Sequence, residues 1–548
     1  MKLYPPYPQN EKIACPGWFS SGRNRCGGVI GLLAGWAFLL LVLLPAAASP
    51  VYPVKISASG RYLVDQNNVP FFMVGDSPHT LVANLSYSDA AFYLADRATN
   101  TFNTLWVEAL CNTYVDGRAN GSLLDGTLPF TANIPSTTNY DLTTPNPAYF
   151  AHVDQIVQMA ATNGIVVMLD PIETGGWLAT MLANGTANCR TYGQYLGNRY
   201  KNFPNIIWIS GNDFQDWSNP NDDAVVTAVA LGIKSVDTNH LQTVELSYTL
   251  SSSLDDTNWA PIIGLNGAYT YSPTYDEVLH AYRQSTNVPV FMEEANYEFE
   301  SLQEPVTTAL NLRQQEYWTL LSGGAGQLYG NHYIWPFSSG WQTNLDTPGA
   351  IEMRYVTALF VPRAWYNLLP DTNHVVVTAG YGTYSSSGTV AANNYLTAAR
   401  TPDGTLAIAY MPTVRTITVN LATFSAAVTA RWYDPSSGNY SSIAGSPFAN
   451  SGTRTFTPSG NNADGDGGWV LVLETSTAPP PLNISVTNTN TVILTWPSNW
   501  PGYSPQQNSD LTTTNWVNAT NPVALVTNVY QVISPVLSGQ QFYRLMAP

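Results

Sequence analysis

From about Val54 to Val361, short apolar runs alternate with segments of helical period, and this alternation constrains the fold more than any other feature of the chain. Repeated strand-helix units build a parallel sheet covered by helices. Strands are expected at Phe71-Val74, Thr104-Glu108, Ile165-Leu169, Ile206-Ile209, Thr243-Leu246, Ile262-Asn266, Pro289-Glu293 and Gln327-Tyr329. Helices are expected over Ser88-Thr99, Pro147-Thr162, Cys189-Tyr200, Asp222-Ser235, Tyr275-Gln284 and Val306-Ser322. Eight such units over roughly 300 residues predict an α/β fold, a (β/α)8 TIM barrel spanning residues 51–365. A doubly wound open sheet would instead carry a glycine-rich phosphate turn after its first strand, and Gly75-Asp76-Ser77-Pro78-His79 cannot serve as one.

After the barrel the texture changes. Residues 366–475 are rich in Val, Thr, Tyr and Ser with turn signals between alternating runs, which predicts a β-sandwich. A Pro-rich linker at 476–481 leads to a small C-terminal all-β domain at 482–548, carrying Trp496, Trp500, Tyr503, Trp516, Phe542 and Tyr543. At the other end, Lys2, Lys12, Arg23 and Arg25 precede an apolar run from Val29 to Leu44, followed by Pro45-Ala46-Ala47-Ala48. This reads as a signal peptide over residues 1–48, with an uncleaved anchor as the alternative. The expected location is therefore secreted: extracellular, or periplasmic or on the outer surface in a Gram-negative host, with no stable membrane span once the leader is removed. Cys111 and Cys189 remain in the mature chain, and the sequence leaves open whether they pair.

Composition removes several function classes. Lys and Arg number 21 against 37 Asp and Glu, a net charge of −16, and no basic stretch offers a footprint for phosphate backbones, so no nucleic-acid partner is expected. No His-Glu-x-x-His, Gly-x-Ser-x-Gly or phosphate-loop motif occurs, Gly323-Gly324-Ala325-Gly326 lacking the Lys that would follow. Asp464-Gly465-Asp466 reads as a solvated turn rather than a calcium site. No metal site and no organic cofactor are expected. Aromatic residues make up 12 %, a supply of faces on which sugar rings stack.

In a parallel barrel the C-terminal strand ends converge on one mouth, and most of the ends here carry reactive side chains. The fourth strand ends Trp208-Ile209-Ser210-Gly211-Asn212-Asp213 and the seventh runs Pro289 to Glu298 through Glu293-Glu294. A carboxyl after strand four and another after strand seven face each other across such a mouth. Glycosidic cleavage needs that pair, one acid protonated to donate to the leaving oxygen and one ionised to attack or stabilise the sugar cation. A pair of buried structural acids is the bland alternative. Candidate sugar-binding groups at other strand ends are Asp76, His79, Trp106, Glu108, Asp170, Asn212, Tyr269, Tyr271, Tyr297, Asn331, His332 and Trp335, with Glu173 beside them. Trp106 and Glu108 share parity and should both face inward, whereas alternation should send only one of Glu293 and Glu294 into the mouth.

Asn212-Asp213 resembles a variant of the Asn-Glu pair with which the large retaining glycosidase clan of (β/α)8 barrels ends strand four. More narrowly, the chain resembles the apiosidase-like family of glycoside hydrolases. The resemblance is carried by Gly75-Asp76-Ser77, Asn146-Pro147-Ala148-Tyr149-Phe150, Trp208 to Asp213, Glu294 to Glu298, and Ser322 to Trp335 followed by Leu345-Asp346-Thr347-Pro348-Gly349-Ala350. The sandwich, with Trp365 at its entry and Trp432-Tyr433-Asp434-Pro435 and Gly468-Trp469 within it, is similar to the collagen-binding-type domain that accompanies that family. The resemblance implies Asp213 as acid/base and Glu294 as nucleophile on a terminal sugar such as apiose, and the spacing to Tyr297 and Glu298 favours Glu294 over Glu293. Gly211-Asn212-Asp213 and His79 depart from the family pattern and put the choice of sugar in doubt. The expectation is thus a secreted, exo-acting, retaining glycosidase acting on a polysaccharide or oligosaccharide. A catalytically silent glycan-binding or matrix-adhesion protein is the alternative.

Overall fold

The computed structural model describes residues 50–247, 250–475 and, in the C-terminal stretch, 482–487, 491–497, 503–511, 513, 515–519, 521–526, 529–535 and 539–546. The expected signal peptide at 1–48 and the expected Pro-rich linker at 476–481 lie outside the described residues.

Strands buried on both faces read as continuous apolar runs, and those runs form the inner ring. Its parallel strands are β1 (Met73–Asp76), β2 (Thr104–Glu108), β3 (Val166–Asp170), β4 (Ile206–Ser210), β5 (Gln242–Val244), β6 (Asn266–Thr270), β7 (Val290–Glu294) and β8 (Gly324–Tyr329). Around them lie α1 (Tyr87–Thr99), α2 (Pro147–Thr162), α3 (Thr174–Tyr200), α4 (Pro220–Lys234), α5 (Thr274–Gln284), α6 (Ala309–Leu321) and α7 (Pro348–Phe360). The sheet runs β5-β4-β3-β2-β1-β8-β7-β6, so β1 pairs with β8 as a barrel requires. The ladder is interrupted between β5 and β6. There the short strand Leu250–Ser252 lies antiparallel on β6, Ala268 opposite Ser252.

Inward-pointing Met73, Trp106, Val166, Met168, Ile207, Ile209, Phe291 and Leu328 fill the ring, and Val54, Leu63 and Phe71 from a small N-terminal antiparallel sheet close its floor. Helices α3 and α4 press together at Gly193, where a Cβ would lie 2.1 Å from the Val229 carbonyl oxygen.

Two elements differ from expectation. The sixth strand begins at Asn266, where the expected one ends, because Ile262, Ile263 and Leu265 are buried from the turn that precedes it while the strand itself reads Asn-Gly-Ala-Tyr-Thr. The helix expected at Cys189-Tyr200 starts at Thr174, with a kink at Gly185, whose φ of 68° breaks the helical period there. Cys111 and Cys189 are both buried and unbonded. No helix among the described residues is long and apolar enough to cross a membrane.

The sandwich pairs a six-stranded antiparallel sheet with a three-stranded one (Val377–Ala379, Ile417–Asn420, Thr453–Phe456). Its strand Leu406–Met411 is buried on both faces for a simple reason. Ala407, Ala409 and Met411 face the second sheet, while Ile408 and Tyr410 join Tyr317, Trp318, Val356 and Phe360 of α6 and α7. Arg313 of α6, 1 % exposed, pairs with Glu352 of α7 and with Asp464 and Asp466, so the Asp-Gly-Asp turn is a clamp onto the barrel. The C-terminal residues form two further antiparallel sheets around Val492, Leu494, Trp496 and Val532.

Removing one member of a buried ion pair strands the other. Arg313→Ala should therefore lower unfolding stability by about 3–5 kcal/mol, read by urea denaturation, and loosen the sandwich from α6 and α7 in hydrogen exchange.

Candidate active site

At the mouth, the chain turns after β4 through three residues of positive φ: Gly211 (117°), Asn212 (60°) and Asp213 (55°). Only glycine fits the first position, since a Cβ there would lie 2.1 Å from the Glu245 carbonyl oxygen. The left-handed turn is held from two sides. Glu245 Oε2, beyond β5, accepts from the Asp213 amide at 2.8 Å, while the amide and hydroxyl of Thr174 donate to the Gly211 carbonyl at 2.6 and 2.8 Å. Aspartate has one methylene fewer than glutamate, and from this turn its carboxyl reaches the wall formed by β6.

There Tyr269 Oη lies 2.8 Å from Asp213 Oδ1 and 2.8 Å from Glu294 Oε1. The two carboxyl oxygens can therefore be no farther apart than twice that, 5.6 Å. Tyr114 donates to Asp213 Oδ2 at 2.5 Å, Tyr271 to Glu294 Oε1 at 2.6 Å and Tyr297 to Glu294 Oε2 at 2.7 Å. Tyr269 has one proton for two carboxyls. It can serve only one of them at a time, so the pair is best accommodated with one proton between them, and Glu294 has three hydroxyls within hydrogen-bond distance.

Electrostatics agree with one shared proton. Burial pushes the Glu294 carboxyl up to about 7, with the charge of Asp213 adding to it and His79, Tyr271 and Tyr297 opposing. Burial likewise raises Asp213 against the hydroxyls of Tyr114 and Tyr269. Around them the fully buried Glu108, Glu245 and Glu293 are also raised, Glu108 to about 8, chiefly by desolvation. His79 stands 3.4 Å from Glu108 and 3.2 Å from the Tyr297 hydroxyl, and burial keeps its ring below its usual range. Asn212 donates to Glu108 at 2.8 Å.

Glu293 and Glu294 depart from simple alternation. The register of β6 on β7 shifts so that Ala268 pairs with Met292 and Tyr269 with Glu294, a bulge that leaves Glu293 and Glu294 on the inner side together. Glu293 lies beneath, where the bare Gly267 makes room: a Cβ there would stand 1.6 Å from Glu293 Oε2.

His79, Glu108, Asn212, Asp213, Tyr269, Tyr271, Glu294 and Tyr297 thus converge. Trp106 lies below, its ring edge-on to His79 with centroids 4.7 Å apart, and is buried out of a sugar's reach. Trp335 sits at the rim, half-buried, its indole donating to Glu300 at 2.7 Å, and His332 is an exposed rim residue 3.5 Å from the same carboxylate. Four of the expected polar groups are taken up by protein contacts instead. Asp76 points away from the mouth onto buried Arg97 (3.0 Å) and the Tyr93 hydroxyl (2.7 Å). Asn331 is spent on the Tyr329 hydroxyl and the Tyr333 amide. Asp170 is buried and accepts from the Ile172 amide, and Glu173 caps α3 at the Gly176 amide. Sequence reasoning missed Glu245, readable as a strand-five end, and Tyr114, which sits in the long loop after β2 where no periodicity marks it.

A mouth of paired carboxyls on a (β/α)8 frame defines a glycoside hydrolase. The chain belongs to the apiosidase-like family: residues 57–367 match the model described as "Apiosidase-like, catalytic domain". Residues 386–474 match one described as "Putative collagen-binding domain of a collagenase". Among solved structures, one titled a glycoside hydrolase aligns over 78 % of this chain and 97 % of its own at 23 % identity and TM-score 0.65. A glycoside hydrolase family 5 protein from Bacteroides vulgatus aligns over 78 % and 96 % at 22 % identity and TM-score 0.66, which shows the shared fold. No curated protein matches the sequence.

Because Asp76 serves Arg97 rather than substrate, Asp76→Ala should cost about 3–5 kcal/mol of stability in thermal or urea unfolding. Turnover by the protein that remains folded should stay near wild type.

Proposed function

We propose that this is a secreted, exo-acting, retaining glycosidase that removes a terminal sugar from a branched plant or microbial polysaccharide. The observation that carries the retaining assignment is the common contact of both carboxyl oxygens with Tyr269. An upper limit of 5.6 Å on the Oδ1–Oε1 separation favours the roughly 5–5.5 Å carboxyl spacing of double displacement over the roughly 6.5–9.5 Å that leaves room for an inverting water. Tyr114, which donates to Asp213 from the long loop after β2, supports a loop contribution to the mouth that suits recognition of a chain end. The leader over residues 1–48 supports secretion, and family membership supports apiose or a similar branch sugar.

In the first step Asp213 gives its proton to the glycosidic oxygen as the anomeric carbon-oxygen bond breaks and a Glu294 oxygen bonds to that carbon. In the second, Asp213 takes a proton from water, whose oxygen displaces Glu294 and restores both groups. Three tyrosine hydroxyls hold Glu294 ionised and aimed.

Sugar release from a panel of branched pectins and other glycans should fall by several orders of magnitude in Glu294→Gln and Asp213→Asn, and proton NMR of the first-formed product should show the substrate's anomeric configuration. An inverted product would discard the retaining assignment.

The pair titrates as a unit. With its last proton leaving near the value of about 7 to which Glu294 is raised, kcat/KM should be highest on the acid side of neutrality and fall through an alkaline limb near pH 7. Tyr297→Phe removes a donor that favours the ionised form, so the shared proton is held more tightly and that limb should move up by about one pH unit.

A further inference from the structure

On the outer wall of the barrel, at the seam between β5 and β6, Asp255, Glu277 and His280 present one ligand atom each, all within 4.8 Å of one another. Glu277 and His280 stand three residues apart on one face of α5, and Asp255 comes from the turn after the antiparallel strand Leu250–Ser252. We propose that these three residues hold a divalent cation of the zinc class, a site separate from the mouth.

Glu277 is the first reason. It is 3 % exposed, and its Oε1 has no hydrogen-bond partner. A buried carboxylate atom without a donor is costly, and a cation beside it removes the cost.

The geometry at His280 is the second. Gln284 Oε1 is occupied by the Ser252 hydroxyl at 2.8 Å and the Asn266 amide at 2.9 Å, so its nitrogen must turn to the cluster, 2.7 Å from Asp255 Oδ1 and 3.1 Å from His280 Nε2. Nε2 also lies 2.9 Å from Asp255 Oδ1, so a carboxylate oxygen and a ring nitrogen are already gathered beside Glu277. Ligand atoms sharing a tetrahedral zinc, with bonds of about 2.0–2.2 Å, stand roughly 3.3–3.6 Å apart, so the His280–Asp255 pair opens by about half an ångström to admit the ion.

The surroundings suit the class. One imidazole and two carboxylates match zinc better than magnesium or calcium, which favour oxygen alone. Asp255 is aimed by the Ser252 amide on Oδ2 at 2.9 Å and by Gln284 on Oδ1, the outer hydrogen bonds a ligating carboxylate requires. The hollow in front, about 560 Å³, leaves room for water in the remaining positions, and Asp276 and Arg283 line it with opposite charges. A cation here would fasten the turn at Asp255 to α5 where the barrel ladder is broken.

The test uses the full chain, stripped with EDTA and titrated with ZnCl2 by calorimetry and thermal unfolding. One equivalent should bind and raise Tm by several degrees, and Glu277→Gln and His280→Gln should each weaken binding at least tenfold and remove that rise while near-ultraviolet circular dichroism stays native. Absence of binding by the wild type, or equal binding by both variants, would overturn the proposal. Anomalous scattering at the zinc edge from wild-type crystals gives the same answer without a variant: a peak about 2.0–2.1 Å from His280 Nε2 supports the site, and zinc bound only elsewhere rejects it.

Discussion

The crowding of acids into a dry barrel mouth is the constraint from which the rest of this site follows. Glu108, Asp170, Glu173, Asp213, Glu245, Glu293 and Glu294 gather at or beneath it, and among the described residues no Arg or Lys forms an ion pair with any of them. In water each would ionise near pH 4, but desolvation and mutual repulsion make that impossible for all of them at once. The protein answers with protons and with neutral donors. Tyrosine hydroxyls serve Asp213 and Glu294, the Asn212 amide serves Glu108, and backbone amides serve Asp170, Glu173 and Glu245. Neutral donors stabilise an anion without fixing a counter-charge beside it, so the pair keeps a proton that can move during the reaction.

Two backbone irregularities make the arrangement possible, and each is held by something specific. The left-handed turn at Gly211-Asn212-Asp213 is a strained path for non-glycine residues, sustained by Glu245 and Thr174. The bulge on β7 sets Glu293 and Glu294 on one side, and it works only because Gly267 has no side chain where the Glu293 carboxyl lies. Asp213 is thus carried on a turn, and Glu294 is seated above a second carboxyl by a bulge.

These irregularities also mark where the sequence could and could not be read. Continuous runs such as Thr104-Glu108 and Ile206-Ile209 announce their strands because burial on both faces leaves no other pattern. Asp213, Glu294 and the tyrosines Tyr269, Tyr271 and Tyr297 were legible as strand-end residues for the same reason. Alternation misjudged Glu293 because a bulge suspends the period of two on which the rule rests. Asp76 and Asn331 sit at strand ends too, yet they turn outward to Arg97 and Tyr329, partners set by tertiary packing that no local pattern reveals. Tyr114 reaches Asp213 from 99 positions away, and the seam cluster joins Asp255 to a helix that only the folded chain brings near.

The hydrogen-bond chain across the mouth also explains why Glu294 stands out among so many raised acids. His79 touches Tyr297, Tyr297 donates to Glu294 Oε2, and Tyr271 and Tyr269 converge on Oε1. Glu293, directly beneath, has no partner on either oxygen and sits fully buried, so it is the carboxyl least able to bear a charge. Keeping Glu293 neutral spares Glu294 the repulsion of an adjacent anion, and the three hydroxyls then decide which member of the vicinal pair ionises. The distinction between two neighbouring glutamates is made by their donors rather than by their place in the chain.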